Sequence, residues 1–166
     1  MKKAIAILAI MLAPLAINAQ KFGHLNITTL AQAMPEYTQA MTDLQNLQKQ
    51  YEEDLNRLNE EFNKKYEDYK MNEATLPANI KERRENELQE LNSRMQQYYQ
   101  ESQQNLAQAN QEKMNAIMEK VTNAVKEVGN EEGFVYIMDV TANAVFINES
   151  ISIDVTDKVK AKLGMK

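Results

Sequence analysis

The chain has 166 residues, of which 26% are charged, and its 24 acidic and 19 basic side chains give a formal net charge of −5. It contains no cysteine, so disulfides are excluded and packing or self-association must stabilise the fold. The acidic balance argues against nucleic acid as a partner, because proteins that bind nucleic acid present a basic face. The length predicts one domain, and the charge content is typical of a long solvated helix.

The first nineteen residues have the three zones of a secretory signal peptide. Lys2 and Lys3 precede an apolar run over residues 4–17, and a short polar end follows. The apolar run is shorter than the ~20 residues that a transmembrane helix needs. We predict cleavage between Ala19 and Gln20, and the loss of the two lysines then changes the formal net charge from −5 to −7. The product is expected to be soluble and exported, without an acylated lipid anchor, because that modification needs a cysteine.

The middle of the chain is poor in residues that break helices. Residues 24–128 contain no glycine and only two prolines, Pro35 and Pro77. From Tyr37 to Tyr69 the apolar side chains recur in steps of three and four residues, which predicts a helix with one narrow apolar stripe. The steps average about 3.67 residues from Leu47 onward, which predicts a helix that is nearly straight or coils slightly in the right-handed sense. Such a helix needs a partner along its stripe.

The partner helix is predicted after Pro77, where the apolar side chains recur at the same steps. We predict helices over residues 36–75 and 78–128, the second of them ended by Gly129. They are expected to pack as an antiparallel hairpin whose tip lies near residues 72–84. Pro77 marks the reversal, because a proline restricts the residue before it away from helical geometry.

The segments on either side of this hairpin have the shorter period of strands. Residues 21–27 predict a first strand, and residues 133–139 and 144–147 predict a β-hairpin closed by a turn near residues 141–143. A short helix is predicted over residues 159–163. The fold class is therefore α+β. Three short strands make a marginal sheet and a two-helix hairpin buries little apolar area, so self-association is expected.

These pieces, in this order, resemble the Skp/OmpH family of periplasmic chaperones over essentially the whole chain after residue 19. The opening "KFGHLNITTL", the charged middle without breakers, and the closing "FVYIMDVTANAVFINESISIDVTDKV" carry the resemblance. Within the closing segment, Asp139, the pair Ala144 and Val145, and the triplet 154–156 match the pattern of the family.

The resemblance implies a homotrimer in which the strands of each subunit join a small central β body and each helical hairpin encloses part of a cavity. It implies a periplasmic holdase that binds unfolded outer-membrane β-barrel proteins without ATP, with no enzymatic activity and no cofactor. The corresponding parts of this chain are a signal peptide over residues 1–19, a β association body over residues 20–35 and 129–166, and a hairpin arm over residues 36–128.

No catalytic or metal site is predicted, and His24, the single histidine, is expected to be structural because a lone imidazole lacks the partner groups of a site. Candidate client contacts are aromatic and thioether side chains, which adapt to many apolar partners. They are Tyr66, Tyr69, Met71, Tyr98 and Tyr99. The spacing of Tyr66, Tyr69 and Tyr98 matches the apolar stripes, so we favour the alternative that these three fill the contact between the helices. Tyr99 lies off the stripe.

Charge separates this chain from the familiar members of the family, which are basic and have cationic arm tips. Residues 64–87 carry six basic and six acidic side chains, so this tip is neutral. Lys81, Arg83 and Arg84 are candidate contacts for lipopolysaccharide or a membrane surface, but we favour surface ion pairs for them. The second functional hypothesis is a structural one, a coiled-coil spacer of the envelope or of an adhesin that binds a fixed partner.

Overall fold

The structure is a computed structural model, and it describes residues 20–142 and 144–165. The predicted signal peptide, residues 1–19, lies outside the described residues. The described part contains β1 (Lys21–Leu25), α1 (Ile27–Gln32), α2 (Pro35–Asn72), α3 (Ala78–Glu132), β2 (Phe134–Asp139), β3 (Ser152–Asp154) and α4 (Thr156–Lys162). Within it, no helix combines the length and the apolar character that a membrane crossing requires.

The two long helices α2 and α3 form the predicted antiparallel hairpin. They have 38 and 55 residues, which correspond to lengths of about 57 Å and 83 Å. Pro35 occupies the first turn of α2, where its missing N–H costs no hydrogen bond. Pro77 is the N-cap residue of α3 with φ −60° and ψ 150°, so the chain reverses between residues 73 and 77. The prediction of a tip at Pro77 is confirmed.

The predicted end of the second helix at Gly129 is wrong, because α3 continues to Glu132. Gly133 ends it with φ 71°, a left-handed conformation that favours glycine, and its N–H donates to the carbonyl oxygen of Gly129. Gly129 therefore lies within the last turns of the helix, where a single glycine is tolerated at a modest cost. The left-handed cap requires a glycine, and this residue is Gly133, one turn after Gly129.

The sheet is parallel, with strand order β2-β1-β3 and β1 in the centre. The predicted β-hairpin is wrong, because residues 144–147 form no strand and β2 pairs only with β1 among the described strands. The described residues between β2 and β3, 140–142 and 144–151, instead lead from one edge of the sheet to the other and are called the crossing segment here. This crossing segment is rich in apolar residues, so its sequence has the composition of a strand.

The hydrophobic core lies where the base of the hairpin meets one face of the sheet. It joins β1, α1 and the start of α2 to the last turns of α3 and to α4. The largest side chains with an exposed fraction under 2% belong to Leu25, Leu30, Met34, Val121, Val128, Val155 and Val159. Because these residues come from both ends of the chain, the base of the arm and the sheet stabilise each other.

The strands on either side of β1 end in the same triplet, Asp-Val-Thr, at residues 139–141 and 154–156. Asp139 Oδ1 accepts hydrogen bonds from the backbone N–H and hydroxyl of Thr141 and from the N–H of Ile27. Asp154 Oδ1 accepts the same two bonds from Thr156, at 2.9 Å and 2.5 Å. Each aspartate therefore fixes the direction in which the chain leaves a strand.

These hydrogen bonds should make stability depend on pH. Partial burial alone raises the pKa of Asp139 and Asp154, but the bonds from Thr141 and Thr156 outweigh it, so both pKa values are lowered. A carboxyl with a lowered folded-state pKa stabilises the fold fully above its unfolded pKa of about 3.9, and this contribution is lost as the pH falls through the folded pKa. In urea denaturation, the double variant Asp139→Asn, Asp154→Asn should lose about 1–2 kcal/mol at pH 7. Below about pH 5 its free energy of unfolding should also fall less steeply with decreasing pH than that of the wild type, and an unchanged slope would contradict this assignment.

Candidate functional site

The contact between α2 and α3, called the seam here, is charged near the sheet. Lys113 Nζ lies 2.7 Å from Asp43 Oδ2, and Lys120 Nζ lies 3.1 Å from Glu36 Oε1. Ala40 and Ile117 are buried beside these pairs. The hydrogen bond from Lys113 lowers the pKa of Asp43. The base of the arm is therefore held by the apolar contact of Ala40 and Ile117 and by two ion pairs along one side of the seam.

Halfway along the arm, the seam is closed by a tyrosine and a carboxylate. Tyr98 donates from its hydroxyl to Asp54 Oδ2 at 2.7 Å, and its ring meets Tyr51 edge to face with centroids 6.1 Å apart. Burial and the bond to Asp54 raise the pKa of Tyr98 to about 12. Ser102, one turn further along α3, is buried in the same seam and is a small residue. The middle of the arm is therefore held by specific hydrogen bonds, and few large apolar side chains are buried there.

Near the tip the arrangement recurs, because Tyr69 donates from its hydroxyl to Glu85 Oε1 at 2.5 Å. This hydrogen bond raises the pKa of Tyr69 to about 12, because it places the phenol beside a carboxylate. Tyr69 is only 7% exposed, and Leu91 is buried nearby in the same seam. The prediction that Tyr69 and Tyr98 fill the contact between the helices therefore agrees with the structure.

Tyr66 does not belong to the seam, contrary to the interpretation that we favoured for it. Its side chain is 44% exposed and stacks on Phe62, with ring centroids 6.1 Å apart. The seam passes instead through Lys65, which is half-buried and reaches Glu87 of α3 at 3.8 Å. Side chains three and four residues apart lie on the same face of a helix, so both Lys65 and Tyr66 are compatible with the stripe. The apolar pattern favoured Tyr66, whereas the structure places Lys65 in the seam.

The remaining candidate client contacts are open to solvent. Met71 is 74% exposed and Tyr99 is 54% exposed. Met118, which the sequence analysis did not select, is 39% exposed on α3. These side chains lie singly along the arm rather than in one patch. The arm therefore offers separated apolar contact points, and their role as client contacts stays a prediction.

The cations of the tip are partly neutralised by one carboxylate. Arg83 and Arg84 lie 3.8 Å and 3.9 Å from the oxygens of Glu87, which also faces Lys65. These are exposed or half-exposed pairs of low strength. Contact of Lys81, Arg83 and Arg84 with lipid phosphate stays a prediction, and a phosphate would have to compete with Glu87 for the two arginines.

The face of the sheet that points away from the core, called the outer sheet face here, is apolar and uncovered. Phe22, Tyr136 and Met138 form its floor, with the rings of Phe22 and Tyr136 4.8 Å apart. The crossing segment completes a groove of about 310 Å³ with Val145, Phe146, Ile147 and Ile151. Phe146 is 90% exposed and Ile151 is 63% exposed. Large exposed apolar side chains that lie together in this way are typical of surfaces that bind another molecule or a second copy of the chain.

The sequence analysis missed the outer sheet face because it assigned residues 144–147 to a strand. One available signal was the repeated Asp-Val-Thr triplet. The repeat indicates that two strands end in the same way, as two strands do when both run parallel to a third strand between them. The other signal was the density of large apolar residues between residues 145 and 151. A segment that forms no strand gains nothing from large apolar side chains unless another surface covers them.

His24 has the structural role that was predicted for it. Its Nδ1 lies 2.8 Å from the hydroxyl of Ser152, which joins β1 to β3 on the outer sheet face. Within residues 20–142 and 144–165, no group of three or more histidine, cysteine, aspartate or glutamate side chains is arranged to hold a metal ion.

Comparison with known proteins identifies relatives for almost the whole described chain. The family model "Outer membrane protein (OmpH-like)" matches residues 21–163. The fold is shared with the crystal structure of a candidate outer membrane chaperone (OmpH-like) from Caulobacter crescentus, with a TM-score of 0.75. The two chains are 14% identical, and the alignment covers 87% of this chain and 83% of the other. No curated protein matches the sequence.

Proposed function

The chain belongs to the OmpH-like family of outer membrane proteins, and on this premise we propose that it is an ATP-independent holdase chaperone of the periplasm. It binds unfolded outer-membrane β-barrel proteins and prevents their aggregation before they reach the membrane. The description of the Caulobacter relative as a candidate outer membrane chaperone supports this proposal for a chain of the same fold. No covalent chemistry is required, so the protein acts without a cofactor and is not an enzyme.

The observation that carries the proposal is the combination of a long arm with an uncovered parallel sheet. Parallel sheets in proteins are normally covered on both faces, and here one face bears exposed Phe146 and Ile151. Copies of the chain that join through the outer sheet face would place several arms around a common space. The family resemblance makes the number of copies three. The arms then supply the walls of a cage for the client.

The holdase acts through the equilibrium between free and bound client. Binding the unfolded barrel lowers its free concentration and shields its unpaired strand edges, which would otherwise pair with other chains. Exposed apolar side chains along the arm, such as Met71 and Tyr99, supply weak contacts to many sequences. Because each contact is weak, a barrel that folds withdraws its apolar surface and leaves without energy from a nucleotide.

The test is aggregation of a urea-denatured eight-stranded outer-membrane barrel after dilution into buffer without nucleotide. The protein without residues 1–19 should suppress light scattering at one trimer per barrel, because each cage holds one unfolded chain. An equal mass of an unrelated coiled-coil protein is the control. The proposal is wrong if scattering at this ratio equals that of the barrel alone.

A structural spacer is the second candidate function, and arm geometry separates the two. A spacer would pack its hairpins against one another along their whole length, which favours continuous apolar stripes on the outer faces of the helices. The exposed faces of α2 and α3 are polar, with single apolar residues such as Tyr99. Small-angle scattering should therefore give the profile of a body with separate arms, whereas the profile of a compact rod would favour the spacer.

A further inference from the structure

The helix α3 has a long face without charge on the side that points away from α2. Nine positions spaced by three and four residues run along it, and all nine side chains are exposed. They are Gln89, Ser93, Gln96, Gln100, Gln104, Ala107, Gln111, Asn115 and Met118. We call these nine residues the uncharged face, and it extends over about 44 Å. Its neighbours on one side are also uncharged and exposed, namely Asn92, Tyr99, Gln103 and Asn110.

The charged side chains of this part of α3 lie beside the uncharged face or in the seam, and none lies on the face itself. Between residues 96 and 118 the only cation of the sequence is Lys113, and it reaches into the seam to Asp43. Glu101 and Glu112 lie on the flank and accept hydrogen bonds from Gln97 and Gln108 at 2.7 Å and 2.8 Å. The amide groups on the uncharged face itself have no such carboxylate partner among the hydrogen bonds of the described residues.

The corresponding outward face of α2 is different. It carries exposed charges of both signs at helical spacing, namely Lys49, Glu53, Glu60, Lys64 and Glu67. Lys49 and Glu53 form an ion pair at 3.8 Å. Alternating charges are the ordinary way to keep a helix face in water. The two helices of the arm therefore present different surfaces, because the exposed amides of α2 lie among charges and only α3 has a long outward face without charge.

We propose that the uncharged face binds the main chain of an unfolded client as an extended segment, an inference that rests on the proposed holdase function. A carboxamide has the same donor and acceptor groups as a peptide unit, and every client has a main chain whatever its side chains. A face without charge neither repels acidic or basic clients nor has ions to desolvate. Its length of about 44 Å matches an extended segment of roughly thirteen residues.

The spacing of the amides suits this partner. Successive positions on the uncharged face rise by about 4.5 Å or 6 Å along the helix, and the groups on one edge of an extended chain repeat at about 6.7 Å. Glutamine side chains are long enough to take up the difference. Each bond replaces a bond to water and contributes little, so binding is the sum of many weak contacts. A second copy of this chain is a poor occupant, because the centre of a permanent interface is apolar.

The test changes four glutamines of the uncharged face, Gln96, Gln100, Gln104 and Gln111, to glutamate in one variant and to lysine in another. Glutamine, glutamate and lysine have similar helix propensities, so the arm should keep its structure by circular dichroism. The probe is the urea-denatured eight-stranded barrel, with its Kd measured by fluorescence anisotropy without nucleotide. Both variants should raise the Kd at least about tenfold. The variant with the same four residues changed to asparagine should stay within about threefold of the wild type.

The matched control makes the same glutamate and lysine substitutions at four exposed amides of α2, namely Asn46, Asn56, Asn59 and Asn63. These control variants should change the Kd less than about twofold. If the glutamate set on α3 weakens binding and the lysine set strengthens it, charge rather than amide bonding recognises the client, and the inference is overturned. It is also overturned if both sets bind like the wild type, although the holdase function then stands. If the wild type itself does not bind the barrel, the proposed function fails together with the inference.

Discussion

Gly23→Val should lower the free energy of unfolding by about 2–3 kcal/mol, because the centre of β1 has no room for a side chain. A Cβ atom at Gly23 would lie 3.1 Å from side-chain carbons of Phe134, Ile137 and Val155. These three residues belong to the packed interface between the sheet and α4, so they cannot all move aside without opening the core. Urea denaturation measures the loss, and all variants are compared at one protein concentration because the proposed association would contribute to stability.

Gly129→Ala is the matched control for this prediction. A Cβ atom there would meet Ile137 Cδ1 at 3.5 Å, an ordinary contact, and the residue lies inside α3. Replacement of a helical glycine by alanine should therefore raise the free energy of unfolding by about 0.5–1 kcal/mol. If Gly23→Val and Gly129→Ala shift stability in the same direction, the close packing of β1 is not what requires a glycine at residue 23.

The double variant Tyr136→Glu, Phe146→Glu should dissociate the proposed trimer into monomers at micromolar concentration. Tyr136 is 49% exposed and Phe146 is 90% exposed on the outer sheet face, and burial of two large apolar side chains contributes about 3–6 kcal/mol. Six new carboxylates in a trimer would in addition have to be desolvated close to one another. Analytical ultracentrifugation should show the mass of one chain, while circular dichroism still shows the helices.

The control for dissociation is Tyr99→Glu, which changes a tyrosine of similar exposure on the arm. Its sedimentation should match that of the wild type, because the arm is not expected to join the copies. A wild-type mass for the double variant would contradict the assignment of the outer sheet face to association. Dissociation by Tyr99→Glu would instead place the contact between copies on the arm.

The sequence predicts the hairpin well because its signals are local. Helical periodicity, the absence of glycine over residues 24–128 and the single Pro77 all act within a few turns of the chain. The bounds shift only slightly, from 36–75 to Pro35–Asn72 and from 78–128 to Ala78–Glu132. Local helix propensity and tertiary packing favour the same conformation along the arm, so the sequence pattern alone is sufficient to predict its two helices.

The sheet and the details of the seam depend on contacts between distant residues. β3 has only three residues, too few for a period, and the apolar crossing segment before it has the composition of a strand. Tyr66 and Lys65 are both compatible with helical spacing, and only the position of α3 decides between them. The outer sheet face becomes visible only when the parallel order of the strands is known, because that order leaves one face uncovered.

The most direct test of the holdase proposal follows the state of the client. The protein without residues 1–19 and a urea-denatured eight-stranded barrel are mixed in buffer without nucleotide, and the soluble complex is isolated by gel filtration. The barrel in this complex should lack sheet signal by circular dichroism and should migrate as unfolded in cold gel electrophoresis. Addition of phospholipid vesicles should then produce the folded barrel. A complex that never forms, or a barrel that stays unfolded in the presence of vesicles that fold it when no chaperone is added, would contradict the proposal.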